Sequence, residues 1–80
     1  MINRAEAFLR QFSFAQARVR HHGSLARIEL LPPDMERVFA ERLRERIVTR
    51  FKEIGYIYVT LDLQGFRSGS MNEVLKRSEQ

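Results

Sequence analysis

The stretch AQARVRHHGSLARIELL, residues 15–31, decides the fold. Val19 stands between Arg18 and Arg20, and Ala26, Ile28 and Leu30 alternate with Leu25, Arg27 and Glu29. Period two on either side of the turn at Gly23-Ser24 is the pattern of a β-hairpin. Its strands are expected over 15–22 and 25–31. Successive side chains of a strand point to opposite faces, so Arg18, Arg20 and Arg27 give the hairpin one arginine-rich face.

Upstream, Ala5, Phe8, Leu9 and Phe12 fall at i, i+3, i+4 and i+7, which predicts a short amphipathic helix over 3–12. Asn3 with Glu6 three residues on reads as its capping box. Downstream, Pro32-Pro33 ends the second strand, since proline cannot continue a ladder. Asp34 then sits at the N-cap position of a second helix. Met35, Val38, Phe39, Leu43, Ile47, Phe51 and Ile54 recur every three or four residues. They predict a single helix of about five turns, stopped at Gly55. Residues 56–63 return to period two, a half-buried strand. Ile57, Val59, Leu61 and Leu63 share one face; Tyr56, Tyr58, Thr60 and Asp62 share the other.

The order is α-β-β-α-β. The expected architecture is an α+β two-layer sandwich, a three-stranded sheet with two helices on one face. Residues 1–64 are expected to form the domain, and residues 65–80 a Gly/Ser loop and a C-terminal tail with one helical turn from Ser70. The other sheet face would carry Arg18, Arg20, His22, Arg27, Glu29, Tyr56, Tyr58, Thr60 and Asp62, with nothing in the chain left to cover it.

Eighty residues allow one domain with a small core. With no cysteine, disulfides, thiolate metal sites and cysteine nucleophiles are excluded from these residues. The expectation is a cytoplasmic domain held together by packing. No apolar run approaches the roughly 18 residues of a membrane span, and the charged residues among 1–10 do not read as a signal peptide. The net charge is +4, and twelve of the fourteen basic residues are arginine. The guanidinium fork suits phosphate or carboxylate, so the bias points to an anionic partner, or else only to codon composition.

Few residues look catalytic. Glu36, Glu41, Glu45 and Glu53 are interspersed with arginines at helical spacing, the pattern of a solvated face. His21 and His22 are adjacent on a strand, point to opposite faces and make no metal pair. Ser68, Ser70 and Ser78 have no histidine base at a recognisable spacing. Gly65 and Gly69 with their neighbouring serines offer backbone N–H groups to a phosphate, but the pattern lacks the lysine of a phosphate-binding loop. The arginine and tyrosine face is the most informative feature. Arginines take phosphate oxygens, and tyrosines stack on a base. Both residue types are equally at home in a docking surface for another domain.

Two motifs carry a family resemblance. Residues 17–29, ARVRHHGSLARIE, resemble the RVRxHGxxARIE stretch of the LarE family, and residues 58–72, YVTLDLQGFRSGSMN, resemble that family's YVTLDLxGxRxGSMN signature. Residues 5–10 look like the helix that precedes the first of these. Ser24 departs from the pattern, standing where an acidic or amide residue is common. The family comprises ATP-dependent sacrificial sulfur transferases, PP-loop and ExsB-related, that serve nickel-pincer cofactor biosynthesis. The resemblance covers the family's C-terminal domain and implies a substrate-phosphate-binding and interdomain-docking module, not catalytic alone.

The same resemblance assigns the residues. It implies that Arg18, Arg20 and Arg67 line the site of a mononucleotide-type anionic substrate. Glu6 and Glu29 match acidic positions at that site and at the domain boundary, with Tyr56, Tyr58, Ser68 and Ser70 in supporting or interdomain positions. No metal or cofactor is expected in this chain. ATP and Mg are implied for an upstream PP-loop ATPase domain, in the same gene or a separate chain, that carries the SGGxDS loop and the sulfur-donating cysteine.

Two other readings stay open. A stand-alone RNA- or single-strand-binding module would use a longer stripe that includes Arg27 and helix arginines. A dimerisation domain would bury Tyr56 and Tyr58 against a second copy.

Overall fold

The computed structural model describes residues 1–67, and the elements run α1 (Ile2–Arg10), β1 (Ala17–His22), β2 (Leu25–Leu30), α2 (Pro32–Ala40), α3 (Arg44–Ile54) and β3 (Tyr58–Leu61). The expected single-helix segment between the second and third strands is thus two helices. The sheet order is β1-β2-β3, with β1 antiparallel to β2 and β2 parallel to β3. Parallel neighbours need a long crossover, and α2 and α3 supply it. One apolar cluster joins Ala5, Leu9 and Phe12 to Val19, Ala26, Ile28 and Leu30 of the sheet and to Val38, Leu43, Ile47, Phe51 and Tyr56 beyond them. The α+β two-layer expectation holds.

The hairpin forms where the alternation places it, with Val19 opposite Ile28 and Arg20 opposite Arg27. Gly23 takes φ +58 in the turn, a conformation glycine adopts without steric penalty.

The helix boundaries differ from the expected ones for identifiable reasons. Helix α1 has no side-chain cap at its start. Glu6 does not close a capping box with Asn3; its Oε2 accepts the Val19 N–H at 2.9 Å and ties α1 to β1. Helix α2 opens with Pro32 in its first turn after Leu31, where the missing proline N–H would have no partner anyway. Asp34 therefore lies inside the helix rather than capping it. Its buried carboxylate accepts the Ala15 N–H at 2.9 Å and pairs with Arg37, which also donates to Phe12 O at 2.6 Å.

The predicted long helix breaks at Arg42, whose φ is +57. The Leu43 N–H donates to Val38 O at 2.9 Å and the Arg42 N–H to Phe39 O at 3.2 Å. This bond pair is a Schellman stop, with Val38 and Leu43 as its buried apolar contact. Helix α3 ends the same way: the Tyr56 N–H donates to Phe51 O and the Gly55 N–H to Lys52 O, both at 3.1 Å. Tyr56 is consequently not on the open sheet face. It is 2% exposed and packs on Phe51, ring centroids 5.8 Å apart.

Candidate functional site

The pairing register places Arg18, Arg20, Arg27 and Glu29 on the sheet face away from the helices, with Thr60 beside Arg27. Arg20 and Arg27 lie directly opposite each other, a like-charge contact that is unfavourable by itself. Glu29 resolves it. The Glu29 side chain is 1% exposed, with Oε1 3.4 Å from Arg20 Nε and Oε2 3.5 Å from Arg27 Nη2. Asp62 stands 3.9 Å from Arg27 Nε on the far side. Arg20 and Arg27 are therefore held by carboxylates.

Arg18 is different. Among the described residues it makes no ion pair, and its guanidinium lies over the Phe66 ring at 5.9 Å. Phe66 reaches that position through a tight return after β3. The Asp62 N–H donates to Ile28 O at 2.8 Å, and Asp62 Oδ1 accepts the Gln64 N–H at 2.9 Å. The Gly65 N–H donates to Asp62 O at 2.9 Å, and the Phe66 N–H to Leu30 O at 2.7 Å. Gly65 has φ +82, and a Cβ there would stand 2.8 Å from Leu30 O, so only glycine lets the chain cross β2 this closely. Arg67 follows directly, half-buried.

The fold thus gathers Arg18, Arg20, Arg27, Glu29, Asp62 and Phe66 at the end of β2, with Arg67 next in the chain. It separates the other named residues. Glu6 serves the edge of β1. Tyr56 is in the core. Tyr58 is 62% exposed but pairs with Leu25 at the other end of β2, about 13 Å from the Glu29 level. The arginines and tyrosines do not interleave as the alternation suggested, because the strand begins only at Tyr58. Ser68 and Ser70 lie outside the described residues. His21 turns its Nδ1 to the Tyr56 hydroxyl at 3.3 Å, while strand alternation sends His22 to the opposite face. Among the described residues no three His, Asp or Glu side chains form a metal-binding group.

Sequence reasoning missed Phe66 and the service of Asp62. The available signal was the Gly-aromatic pair immediately after a strand that ends in an Asp turn.

Among the described residues no helix is long and apolar enough to cross a membrane. No family model matches the chain. Two proteins do. The chain is 41% identical over 76 residues to an uncharacterized protein of Synechocystis sp., and 41% identical over 75 residues to the pyridinium-3,5-bisthiocarboxylic acid mononucleotide synthase of Lactiplantibacillus plantarum. These matches take in 95% and 94% of the chain but only 28% and 26% of the relatives. The resemblance carried by the two motifs is thereby borne out: over nearly its whole length the chain is similar to a quarter-length segment of a LarE-type synthase.

Proposed function

We propose that the chain is the substrate-phosphate-binding and interdomain-docking domain of a sulfur transferase of this kind. The observation that carries the reading is Arg18, exposed on the open face and seated over Phe66, one residue before Arg67. Arg20 and Arg27 already face carboxylates; Arg18 has a ring beneath it and its donors to spare. Such a guanidinium takes phosphate oxygens through two parallel hydrogen bonds. Glu29 and Asp62 keep the neighbouring arginines from collapsing onto the same anion, which favours a small phosphate monoester over an extended polyanion.

The site positions a mononucleotide and performs no bond chemistry itself. Holding the reactant beside a reacting group supplies effective concentration. The chain contains neither an SGGxDS loop nor a cysteine. Adenylation with ATP and Mg, and the supply of sulfur, therefore fall in this reading to the portion of the longer proteins that the chain does not match.

An amide chemical-shift titration with nicotinic acid mononucleotide tests the proposal. Saturable shifts confined to Arg18, Arg20 and the Phe66–Arg67 turn are expected, and Arg18→Ala should weaken binding by about tenfold, the worth of one charge-assisted pair. Shifts with short single-stranded RNA but none with the mononucleotide, spread over the helices and steeply salt-dependent, would replace this reading with a nucleic-acid module.

A further inference from the structure

The sheet ends at β3, and among the described residues no strand pairs with its outer edge. The N–H groups of Tyr58 and Asp62 turn inward to Ser24 O and Ile28 O. In a parallel pair the alternate residues then face the other way, so Val59 and Leu61 present their backbone N–H and C=O groups outward. An edge strand of this kind is usually blunted by lysine, proline, a bulge or a covering element. The sequence YVTL has no such residue.

The side chains of the same two residues point toward the helices. With Val38, Phe39, Ile47 and Val48 they line an apolar groove of about 250 Å³. Phe39 stands 62% exposed there, a cost in water that needs a reason. Arg44, the first residue of α3, lines the groove as well and makes no ion pair among the described residues. Helix α3 leads back toward the start of β3, so its first residue sits toward the Leu61 end.

We propose that this edge accepts an extended strand of a partner polypeptide, added beside β3 as a fourth strand. Its alternate side chains would be apolar and fill the groove, and a carboxylate at one end would meet Arg44. The three features specify the partner separately. The outward backbone groups require a peptide backbone. The groove on one face only requires apolar residues at every second position. The uncompensated guanidinium requires an acid. A second copy of this chain fits poorly: it would bring a second Arg44, and the carboxylate of its β3 segment, Asp62, already faces Arg27. This surface is separate from the Arg18 face and does not depend on the mononucleotide reading.

The test uses the 80-residue chain with three blocked hexapeptides: ETVTVT, whose Glu shares one face with both valines, its charge reversal KTVTVT, and ETPTVT, in which a proline removes a central N–H. Backbone amide and methyl shifts are followed. ETVTVT should give saturable shifts at Val59, Leu61, Val48 and Phe39 and bind about fourfold tighter than KTVTVT, the scale of one exposed ion pair. The order should reverse in Arg44→Glu, an exposed position, and ETPTVT should not bind. Equal affinity of the Glu and Lys peptides, retained binding of the proline peptide, or shifts away from the β3 edge would each overturn the proposal. Concentration-dependent shifts at these residues without any peptide would give the edge to a second copy and overturn it too.

Discussion

Glu29 and Arg18 sit opposite each other on the hairpin and divide their work. Glu29 is almost wholly buried between Arg20 and Arg27. Removing its charge leaves two guanidinium groups facing each other across the strands. Breaking a fully buried pair costs about 3–5 kcal/mol. The arginine side chains here are 39% exposed, so solvent screening reduces the expected loss for Glu29→Gln to about 2 kcal/mol. Arg18 contributes only its contact with Phe66, about 0.5 kcal/mol at an exposed site. Urea denaturation of the two variants should show this contrast: Glu29→Gln shifts the midpoint clearly, and Arg18→Ala leaves it nearly unchanged while mononucleotide binding weakens by about tenfold. A comparable midpoint shift in Arg18→Ala would make Arg18 a structural residue and remove the anchor from the proposed site. Both positions were legible in the sequence, because period two assigns the face without ambiguity. Phe66 was not, since nothing in a loop sequence says which strand the loop recrosses.

Helix α2 and helix α3 end in the same hydrogen-bond motif, but the sequence advertises only one of them. At Gly55 the left-handed position is filled by the residue that accepts it freely. At the end of α2 it is filled by Arg42, with φ +57. The apolar spacing of Val38, Leu43 and Ile47 runs through that break without interruption, because Leu43 packs as the contact of the helix stop while still falling near a helical interval. Periodicity alone therefore reads one helix where there are two. Tyr56 misled for a related reason. It continues the parity of Tyr58 and Thr60 on paper, yet it belongs to the helix stop and packs on Phe51. A non-glycine residue in the left-handed region carries a penalty of about 1 kcal/mol. Arg42→Gly should accordingly raise stability by about that amount, while Arg42→Val, β-branched at the same φ, should lower it. Thermal melts of the two variants measure both signs, and a loss of stability in Arg42→Gly would mean that the arginine side chain itself holds the two helices apart.

Across the whole molecule, Tyr56 is the point where α1, β1 and α3 meet. Phe51 and His21 flank its ring, with centroids 5.8 and 5.4 Å away. Burial, with a smaller push from the Glu6 carboxylate, holds its phenol above the ordinary value of 10.0. The folded chain thus keeps a proton that the unfolded chain releases near that pH. Stability from this source is whole below about pH 10 and falls as pH rises further. Tyr56→Phe should remove that part of the alkaline loss, and denaturation midpoints of both proteins between about pH 8 and pH 11 check it. An identical slope in the two proteins would show that the phenol ionises freely in the folded state. The layer architecture was legible because three periodic segments must share one apolar surface. The parallel placement of β3 was not, as alternation fixes a strand's faces and leaves its neighbour undetermined.

That placement has a consequence in time. The β1–β2 hairpin is built from residues close in sequence, whereas β3 reaches β2 only across the whole α2–α3 crossover. Contacts of long sequence separation form slowly, and a growing chain releases β3 and the turn to Phe66 after every other described element. The strand that completes the sheet therefore also delivers the ring beneath Arg18. The proposed anion site is therefore expected to form in the last folding step, and the rate at which mononucleotide binding appears during refolding should report the docking of β3.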